Sequence, residues 1–174
     1  MIKICISGFT STGKTTLGEL LSKSLNIPHI NASYKDVVGD GDALIDLQRK
    51  ADKAFAQKFD REIISKAKGK DCVITTWLSP WLIKDATVRV WLSADKDERA
   101  NRTAKRNGVT RAKAMKYLEE KDSTTMRNFK RDYGIDILEH SLFDIELNSS
   151  RMSIDEMAAI VSLIALSKDV RNKR

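Results

Sequence analysis

The sequence has few cysteines and no long apolar run, and each shortage excludes a class of protein. Its two cysteines, Cys5 and Cys72, lie far apart in short apolar runs and outside any metal-ligand spacing. We therefore expect both thiols to be reduced and buried, without a disulfide. No apolar run approaches the roughly 18 residues of a membrane-spanning helix. Because residues 1–20 also lack the charged head and cleavage site of a signal peptide, we expect a soluble cytoplasmic protein.

The basic charge of the chain is concentrated in one segment. The formal net charge is +7, and residues 95–135 carry +5 of it, from 12 Lys or Arg and seven Asp or Glu. Residues 168–174, KDVRNKR, have no apolar partner, so we expect a frayed, solvated tail there. The position of the charge is therefore more informative than its total.

The length of 174 residues and a hydrophobic content of 41% fit a single folded domain that spans residues 1–174. Within it, apolar patterns predict strands that alternate with helices. The predicted strands cover IKICIS, HIN, CVITTWL, residues 88–92 and FDIEL, and the predicted helices cover residues 17–25, 42–68, 94–106, 111–131 and 153–166. This alternation predicts an α/β fold with a parallel sheet and right-handed crossovers.

The two helices predicted for residues 94–131 are highly charged and hold few apolar residues for their length. Asn107 and Gly108 form a turn signal between them. Segments that bury little surface tend to be mobile, so we predict a basic helical lid over about residues 99–135.

The stretch GFTSTGKTT, residues 8–16, directly follows the first predicted strand. It matches the pattern G-x-x-x-x-G-K-[ST], and a strand before it and a helix after it are the context that this pattern requires. Inward-turned backbone N–H groups and a helix N-terminus form an anion site there. Lys14 would reach the terminal phosphates, and the Thr15 hydroxyl would ligate Mg²⁺. The predicted nucleotide-binding residues are Gly8, Ser11, Thr12, Gly13, Lys14, Thr15 and Thr16.

Binding of a nucleoside triphosphate is compatible with a GTPase switch, an ATPase motor module or a small-molecule kinase. The chain lacks the N-K-x-D element that recognises guanine. A motor ATPase needs paired acids after a second apolar strand, whereas CVITT ends in Thr75 and is followed by Thr76 and Trp77. A kinase instead needs mobile arginines over the transferred phosphoryl group.

Arg99, Arg102 and Arg106 have the spacing that places them along one face of a predicted helix. Arg127 and Arg131 repeat this spacing in the next helix. Arginine binds phosphate oxygens with a planar, permanently charged fork, which stabilises the charge on a γ-phosphoryl group during transfer. The alternative is a solvated basic face paired with nearby acidic residues. Next to a phosphate loop, the spacing favours an arginine-bearing lid and hence a kinase.

Four segments together carry a resemblance to a known family. They are GFTSTGKTT at the loop, RANRTAKRNG in the predicted lid, RNFKRDYGIDI after it and FDIELNSSR before the last helix. In this order they resemble the archaeal-type cytidylate kinases, within the nucleoside monophosphate kinases, over nearly the whole chain.

The resemblance implies a three-layer P-loop kinase fold with a five-stranded parallel sheet, a helical acceptor-binding region over about residues 32–69 and the basic helical lid. It implies ATP as phosphoryl donor, Mg²⁺ as the metal and a pyrimidine nucleoside monophosphate as acceptor. By the same resemblance, the catalytic residues would be Lys14 and the lid cations Arg99, Arg102, Arg106 and Arg131.

The acceptor side departs from the pattern of that family. Where family members have an acid, a glycine and an arginine after the third strand, this chain has Thr75, Thr76 and Trp77. The arginine that family members offer after the second strand is also replaced, because NASYKDVV contains Lys35 instead. We expect Lys35 and Arg61 to contact the acceptor phosphate, although an ammonium lacks the bidentate fork of arginine.

Asp60 and Trp77 complete the predicted acceptor site. Asp60 would orient a Mg²⁺-bound water or accept from an amino group of the acceptor, and the alternative is a plain surface carboxylate. Trp77, at the carboxyl end of a strand, would stack on a base, and the alternative is packing under the lid or under the helix after Gly41. His29 and His140 follow no ligand spacing, and we assign them no chemistry.

Three functions follow from these patterns. The first is a kinase that transfers the γ-phosphoryl group of ATP to CMP or dCMP, acting as a monomer on small molecules. The second is a paralogue whose altered acceptor pocket takes another metabolite, which the missing arginines support. The third, a nucleotide-gated RNA-binding module, would need an exposed basic face with aromatic platforms, and the aromatic residues near the basic segment are too sparse for that.

Overall fold

The computed structural model describes residues 1–31 and 53–172, without the side chains of residues 54, 55 and 172. Lys35 and most of the expected acceptor-binding region lie outside the described residues. The strands are β1 (Lys3–Gly8), β2 (His29–Asn31), β3 (Cys72–Thr75), β4 (Val88–Ser93) and β5 (Ile145–Asn148). The helices are α1 (Lys14–Leu25), α2 (Lys53–Ala67), α3 (Ser79–Leu82), α4 (Lys96–Asn107), α5 (Arg111–Tyr133) and α6 (Ile154–Asn172).

These five strands form one parallel sheet in the order β2-β3-β1-β4-β5. β1 is central and pairs with β3 and β4, so that Ile4 lies between Val73 and Val88. Every residue of β1 is buried, as expected for a strand that is covered on both faces. The α/β fold with a five-stranded parallel sheet is therefore confirmed.

Helices cover both faces of the sheet and give three layers. On one face, α1 and α6 pack on the strands, and the buried residues of this core include Leu17, Leu21, Met157, Val161 and Ala165. On the other face lies a second core, which includes Cys5, Ile30, Ile63, Ile74 and Ile83. Open α/β sheets that are covered on both faces bind ligands at the carboxyl ends of their strands.

Both cysteines are free and buried, as predicted. Burial raises the pKa of the Cys5 thiol to about 12, so this thiol stays protonated at neutral pH. Cys5 and Cys72 therefore act as small packing residues of the sheet.

The two helices of the expected lid, α4 and α5, pack against each other. α4 ends at Gly108, whose φ of 64° lies in the left-handed region. α5 begins after Thr110, whose hydroxyl oxygen accepts from the N–H of Lys113. Both helices lie close to the bounds expected from the sequence, while their motion as a lid stays a prediction.

The third and fifth strands are shorter than expected. β3 stops at Thr75 because the short helix α3 follows, with Pro80 in its first turn. β5 begins at Ile145 instead of Phe143, whose ring packs against Trp91 at a centroid distance of 5.4 Å. The apolar residues next to β3 and β5 therefore pack against neighbouring side chains and do not extend these strands.

The expectation of a frayed tail is wrong for residues 168–172, and residues 173 and 174 lie outside the described residues. α6 continues to Asn172, because Asp169 is buried and accepts from the amino group of Met1 at 2.7 Å. This ion pair fixes the last turns of α6 to the start of the chain.

Like every other helix within residues 1–31 and 53–172, α6 is too short or too polar to cross a membrane.

Candidate active site

The loop between β1 and α1 has a shape that depends on its glycines. Gly8 and Gly13 have φ angles of 144° and 98°, which residues with a side chain rarely adopt. A Cβ atom on Gly8 would also overlap the carbonyl oxygen of Leu92 on β4. The loop leads directly into the N-terminus of α1, and the N-terminus of a helix favours an anion.

The ammonium of Lys14 lies over this loop and beside an aromatic ring. Its Nζ donates to the carbonyl oxygens of Gly8 at 2.7 Å and Phe9 at 2.8 Å. It also lies 5.2 Å from the ring centroid of Trp77, within the range of a cation–π interaction. These contacts hold the charge where a phosphate on the loop would need it.

A cavity of about 490 Å³ opens in front of the loop. The loop and the start of α1 line one end of it, and α2, the residues after β3 and α5 line the other. The predicted site residues in its lining are Ser11, Gly13, Lys14, Thr15, Thr16, Asp60, Trp77, Arg102 and Arg106. The structure thus brings most of the predicted donor and acceptor residues to one cavity.

Several predicted site residues of the described chain do not line this cavity. They are Gly8, Thr12, Arg61, Arg99 and Arg131. Gly8 and Thr12 shape the loop instead, since the Thr12 hydroxyl donates to the carbonyl oxygen of Phe9 at 2.9 Å. Their contribution to nucleotide binding would therefore be made through the shape of the backbone.

Arg61 and Arg131 are exposed and bound to neighbours on their own helices. The Nε of Arg61 donates to the carbonyl oxygen of Gln57 at 3.2 Å. Arg131 pairs with Asp132 at 2.6 Å, and the hydrogen bond from Arg131 lowers the pKa of that carboxyl group. The structure does not bring either guanidinium group to the cavity, so their roles stay predictions.

Arg102 and Arg106 line the cavity from α4. Arg102 donates to the hydroxyl of Ser149 at 2.9 Å and to its carbonyl oxygen at 2.8 Å, which ties it to the turn after β5. Arg106 donates to the hydroxyl of Ser11 at 3.3 Å. Both cations therefore lie next to the phosphate loop, and their catalytic role stays a prediction.

Arg99 is buried against the loop and is only 7% exposed. Its Nε donates to the carbonyl oxygen of Thr10 at 2.8 Å, and its guanidinium lies 5.1 Å from the ring centroid of Phe9. It also donates to Asp122 of α5. Burial raises the pKa of Asp122, and the positive charges of Arg99 and Lys14 oppose that rise.

One face of α5 lines the end of the cavity opposite the loop, and its lining residues were not identified as site residues from the sequence. They are Lys121, Thr125, Asn128, Phe129, Asp132 and Tyr133. Lys121 is 6% exposed and donates to the hydroxyl of Tyr117 at 3.0 Å. The spacing of these residues along one helix face is the signal that could have identified them.

Asp60 of α2 reaches the same end of the cavity, where it accepts a hydrogen bond from the hydroxyl of Tyr133. Burial raises the pKa of Asp60, and the bond from Tyr133 opposes this rise. A carboxylate can accept several hydrogen bonds, so Asp60 could also accept from a ligand. Asp60 is therefore not the plain surface carboxylate of the alternative interpretation.

The ends of β2 and β3 add a polar group to the cavity wall. Thr75 and Asn31 line the cavity, and the Thr75 hydroxyl donates to Asn31 Oδ1 at 3.3 Å. The Nε2 of His29 lies 2.7 Å from the same hydroxyl. Burial lowers the pKa of His29, which favours its neutral ring. His29, to which the sequence assigned no chemistry, thus supports a residue of the cavity.

Trp77 both packs against its neighbours and lines the cavity. Its ring makes edge contacts with Phe9 at a centroid distance of 5.7 Å and with Phe129 at 6.1 Å. The hydroxyl of Ser7 donates to the Trp77 carbonyl oxygen at 2.6 Å and fixes the backbone. Packing beneath α5 is observed, while stacking on a base stays a prediction.

Sequence comparisons give the family of this chain. Residues 31–151 match the cytidylate kinase-like family. The chain belongs to this family. A cytidylate kinase from Sulfurisphaera tokodaii is 34% identical over 165 residues, which cover 91% of this chain and 92% of that protein. A cytidylate kinase from Pyrococcus horikoshii is 30% identical over 163 residues, which cover 91% of this chain and 85% of that protein.

Solved structures agree with the family in fold. An uncharacterized protein from Eubacterium ventriosum superposes with a TM-score of 0.73 at 20% identity, covering 94% of this chain and 98% of that one. A shikimate kinase from Bacteroides thetaiotaomicron superposes with a TM-score of 0.62 at 16% identity, covering 94% and 97%. These likenesses concern the fold alone, and they confirm the P-loop kinase fold that the resemblance implied.

Proposed function

We propose that this protein transfers the γ-phosphoryl group of ATP to a pyrimidine nucleoside monophosphate, with CMP or dCMP as the acceptor. The observation that carries the proposal is the cavity that joins the phosphate loop to Asp60, Trp77 and α5. A donor bound at the loop and an acceptor bound among the other residues would meet inside it. Membership of the cytidylate kinase-like family supports the choice of acceptor.

The loop would bind the phosphates of ATP. Lys14 would exchange its bonds to the Gly8 and Phe9 carbonyl oxygens for bonds to phosphate oxygens. The hydroxyl of Thr10 is buried at the cavity without a hydrogen-bond partner among the described residues, which fits a polar ligand there. Thr15 also lines the cavity and would hold Mg²⁺, which neutralises phosphate charge during transfer.

Arg102 and Arg106 would stabilise the phosphoryl group during transfer. Both side chains line the cavity next to the loop, and fixed cations stabilise the charge spread over the equatorial oxygens. A phosphate acceptor is already anionic, so the reaction needs no strong general base. Arg131 would have to give up its ion pair with Asp132 to join them.

The acceptor would lie between α2, the end of β3 and α5. Trp77 offers its ring to a base, and Asp60 offers a carboxylate to the amino group that distinguishes cytosine from uracil. Lys121 lines the same end and would contact the acceptor phosphate in place of an arginine. Arg61 and Lys35 stay candidates for the same contact.

A second candidate function is phosphoryl transfer to a different small metabolite. Thr75, Thr76 and Trp77 all line the cavity, and they are uncharged where members of the family were expected to carry an acid and an arginine. An acceptor without a phosphate group would need fewer cations there. The RNA-binding alternative lacks such support, because Phe129 and Tyr133 face the cavity instead of forming an exposed stacking surface.

The proposal also includes the oligomeric state of the enzyme and the cellular compartment in which it works. The active species would be a monomer. Cys5 and Cys72 are free, as expected in a reducing compartment such as the cytoplasm, where ATP is also available.

The proposed function is tested by ATP turnover with Mg²⁺ across a panel of nucleoside monophosphates. We expect CMP or dCMP to raise ADP formation about a hundredfold or more above hydrolysis without acceptor, because a bound acceptor holds its phosphate oxygen in position to attack the γ-phosphoryl group. Lys14→Ala should abolish this increase, and Lys23→Ala on an exposed position of α1 serves as the matched control. If no monophosphate raises turnover while ATP still binds, the acceptor is wrong and the second candidate function is favoured.

A further inference from the structure

We propose that Arg99 is a positioning residue for the phosphate loop and not a cation on the transferred phosphoryl group. Arg99 would act through Thr10 and Phe9, and Asp122 would hold Arg99 in the required orientation. Because nucleotide binding by the loop is itself a proposal, this role rests on the proposed function. It separates Arg99 from Arg102 and Arg106, although all three lie on α4.

The guanidinium of Arg99 is fixed in three directions. Its Nε donates to the carbonyl oxygen of Thr10 at 2.8 Å, and its Cζ lies 5.1 Å from the ring centroid of Phe9. A terminal nitrogen donates to Asp122. A lysine at this position would supply the charge, but its ammonium is a point charge and lacks the planar fork that holds two nitrogens in fixed directions toward Thr10 and Asp122.

The charge of Arg99 is already balanced within the protein. The side chains of Arg99 and Asp122 are 9% and 13% exposed, so they form a largely buried ion pair. Arg102 and Arg106 line the cavity, whereas Arg99 lies outside its described lining. Arg102 is also paired, with Glu98 at 3.1 Å, but the two side chains are 33% and 43% exposed, so this pair is far less buried than that of Arg99. Arg102 and Arg106 are therefore the arginines of α4 that can offer charge to a ligand in the cavity, and Arg99 contributes the geometry of the loop.

The contacts of Arg99 continue to Lys14 through the loop backbone. Arg99 holds the carbonyl of Thr10 and the ring of Phe9, and the Phe9 carbonyl oxygen accepts from Lys14 Nζ at 2.8 Å. A shift of these two loop residues would therefore displace both the Lys14 ammonium and the Thr10 side chain at the cavity. Small displacements of such groups cost up to about 100-fold in rate.

Two substitutions distinguish orientation from charge. Arg99→Lys keeps the charge and removes the fork, whereas Asp122→Asn keeps the size of the partner and frees the charge of Arg99. If Arg99 positions the loop, both variants should bind MgATP about 10- to 100-fold more weakly, with a raised KM for ATP. If Arg99 acts by its charge, Arg99→Lys should behave like the wild type, and Asp122→Asn should bind MgATP more tightly.

The structure offers a matched control pair between the same two helices. Arg111 of α5 pairs with Asp97 of α4, and the two side chains are 53% and 72% exposed. Arg111→Lys and Asp97→Asn repeat the chemistry of the test substitutions away from the loop. We expect both to leave MgATP affinity and turnover unchanged.

Breaking a buried ion pair can prevent folding, so a charge-free variant completes the test. Arg99→Met combined with Asp122→Leu leaves no unpaired buried charge, and such replacements are often tolerated. The double variant should fold, as thermal unfolding will show, yet bind MgATP as weakly as Arg99→Lys because the Thr10 carbonyl oxygen has lost its donor. Wild-type affinity in the double variant would overturn the proposal.

Calorimetric titration with MgATP separates this proposal from the proposed function. If the wild type does not bind MgATP, the proposed function fails, and the role of Arg99 fails with it. If the wild type binds and Arg99→Lys binds equally well, only the positioning role is wrong. Reduced affinity in Arg99→Lys, Asp122→Asn and the double variant, with unchanged controls, supports it.

Discussion

At the scale of single residues, the environment of His29 makes the stability of the protein depend on pH. Burial lowers the pKa of His29 in the folded protein below its ordinary value of 6.5, which it keeps in the unfolded chain. Between these two pKa values, the unfolded chain binds more protons than the folded one. Lowering the pH through this window therefore favours unfolding. The stability that neutral His29 contributes is fully present above its unfolded pKa and is lost as the pH falls toward its folded pKa.

We predict that His29→Gln loses this part of the pH dependence. Glutamine can keep a hydrogen bond to the Thr75 hydroxyl, but it does not titrate. Urea unfolding at pH about 7.5 and about 5.5 gives the free energy of unfolding of each protein, and the wild type should lose more of it on acidification. Comparing the two proteins cancels the carboxylates that they share. An equal loss in both would contradict the prediction.

At the scale of elements, α1 packs so closely on the sheet that one of its positions requires glycine. Gly18 is buried in the middle of the helix, where glycine costs about 0.5–1 kcal/mol relative to alanine. A Cβ atom there would overlap the methyl group of Thr75 and lie 2.5 Å from the Nε2 of His29. The close approach of α1 to β2 and β3 therefore outweighs helix propensity.

We predict that Gly18→Ala destabilises the protein by about 1–3 kcal/mol, because the overlap forces the helix or the Thr75 side chain to move. Urea unfolding measures the change. Ser24→Ala, at an exposed position of the same helix, should change the free energy of unfolding by less than about 0.5 kcal/mol. A more stable Gly18→Ala protein would mean that α1 lies further from the sheet than described.

The elements that periodicity predicted well are those whose pattern is local. The strands and long helices repeat apolar residues over a whole segment, so their existence follows from the sequence. α3 spans only Ser79–Leu82, which is too short for any period to show. The end of α6 depends on the ion pair between Asp169 and Met1, which are at opposite ends of the chain. No local pattern contains that contact.

At the scale of the whole molecule, the loop end of the cavity could be predicted because it is one contiguous segment. The opposite end is assembled from α2, α5 and the end of β3, which meet only in the folded chain, so Lys121 and Tyr133 were not identified. Arg99 shows the same limit. Its spacing placed it on one helix face with Arg102, but only the packing of α4 against the loop and α5 reveals that it meets Thr10 and Asp122.

The whole molecule should become more stable when MgATP binds, because the loop that would hold the phosphates connects the central strand to α1. A ligand that binds only the folded state at 100 times its Kd adds about 2.7 kcal/mol. For a chain of this size each kcal/mol raises Tm by about 2–4 °C, so we predict a rise of roughly 5–10 °C. Differential scanning fluorimetry with and without MgATP measures it. Lys14→Ala should show a smaller rise at the same MgATP concentration, whereas Lys23→Ala should match the wild type. An equal rise in Lys14→Ala would place the nucleotide away from the loop.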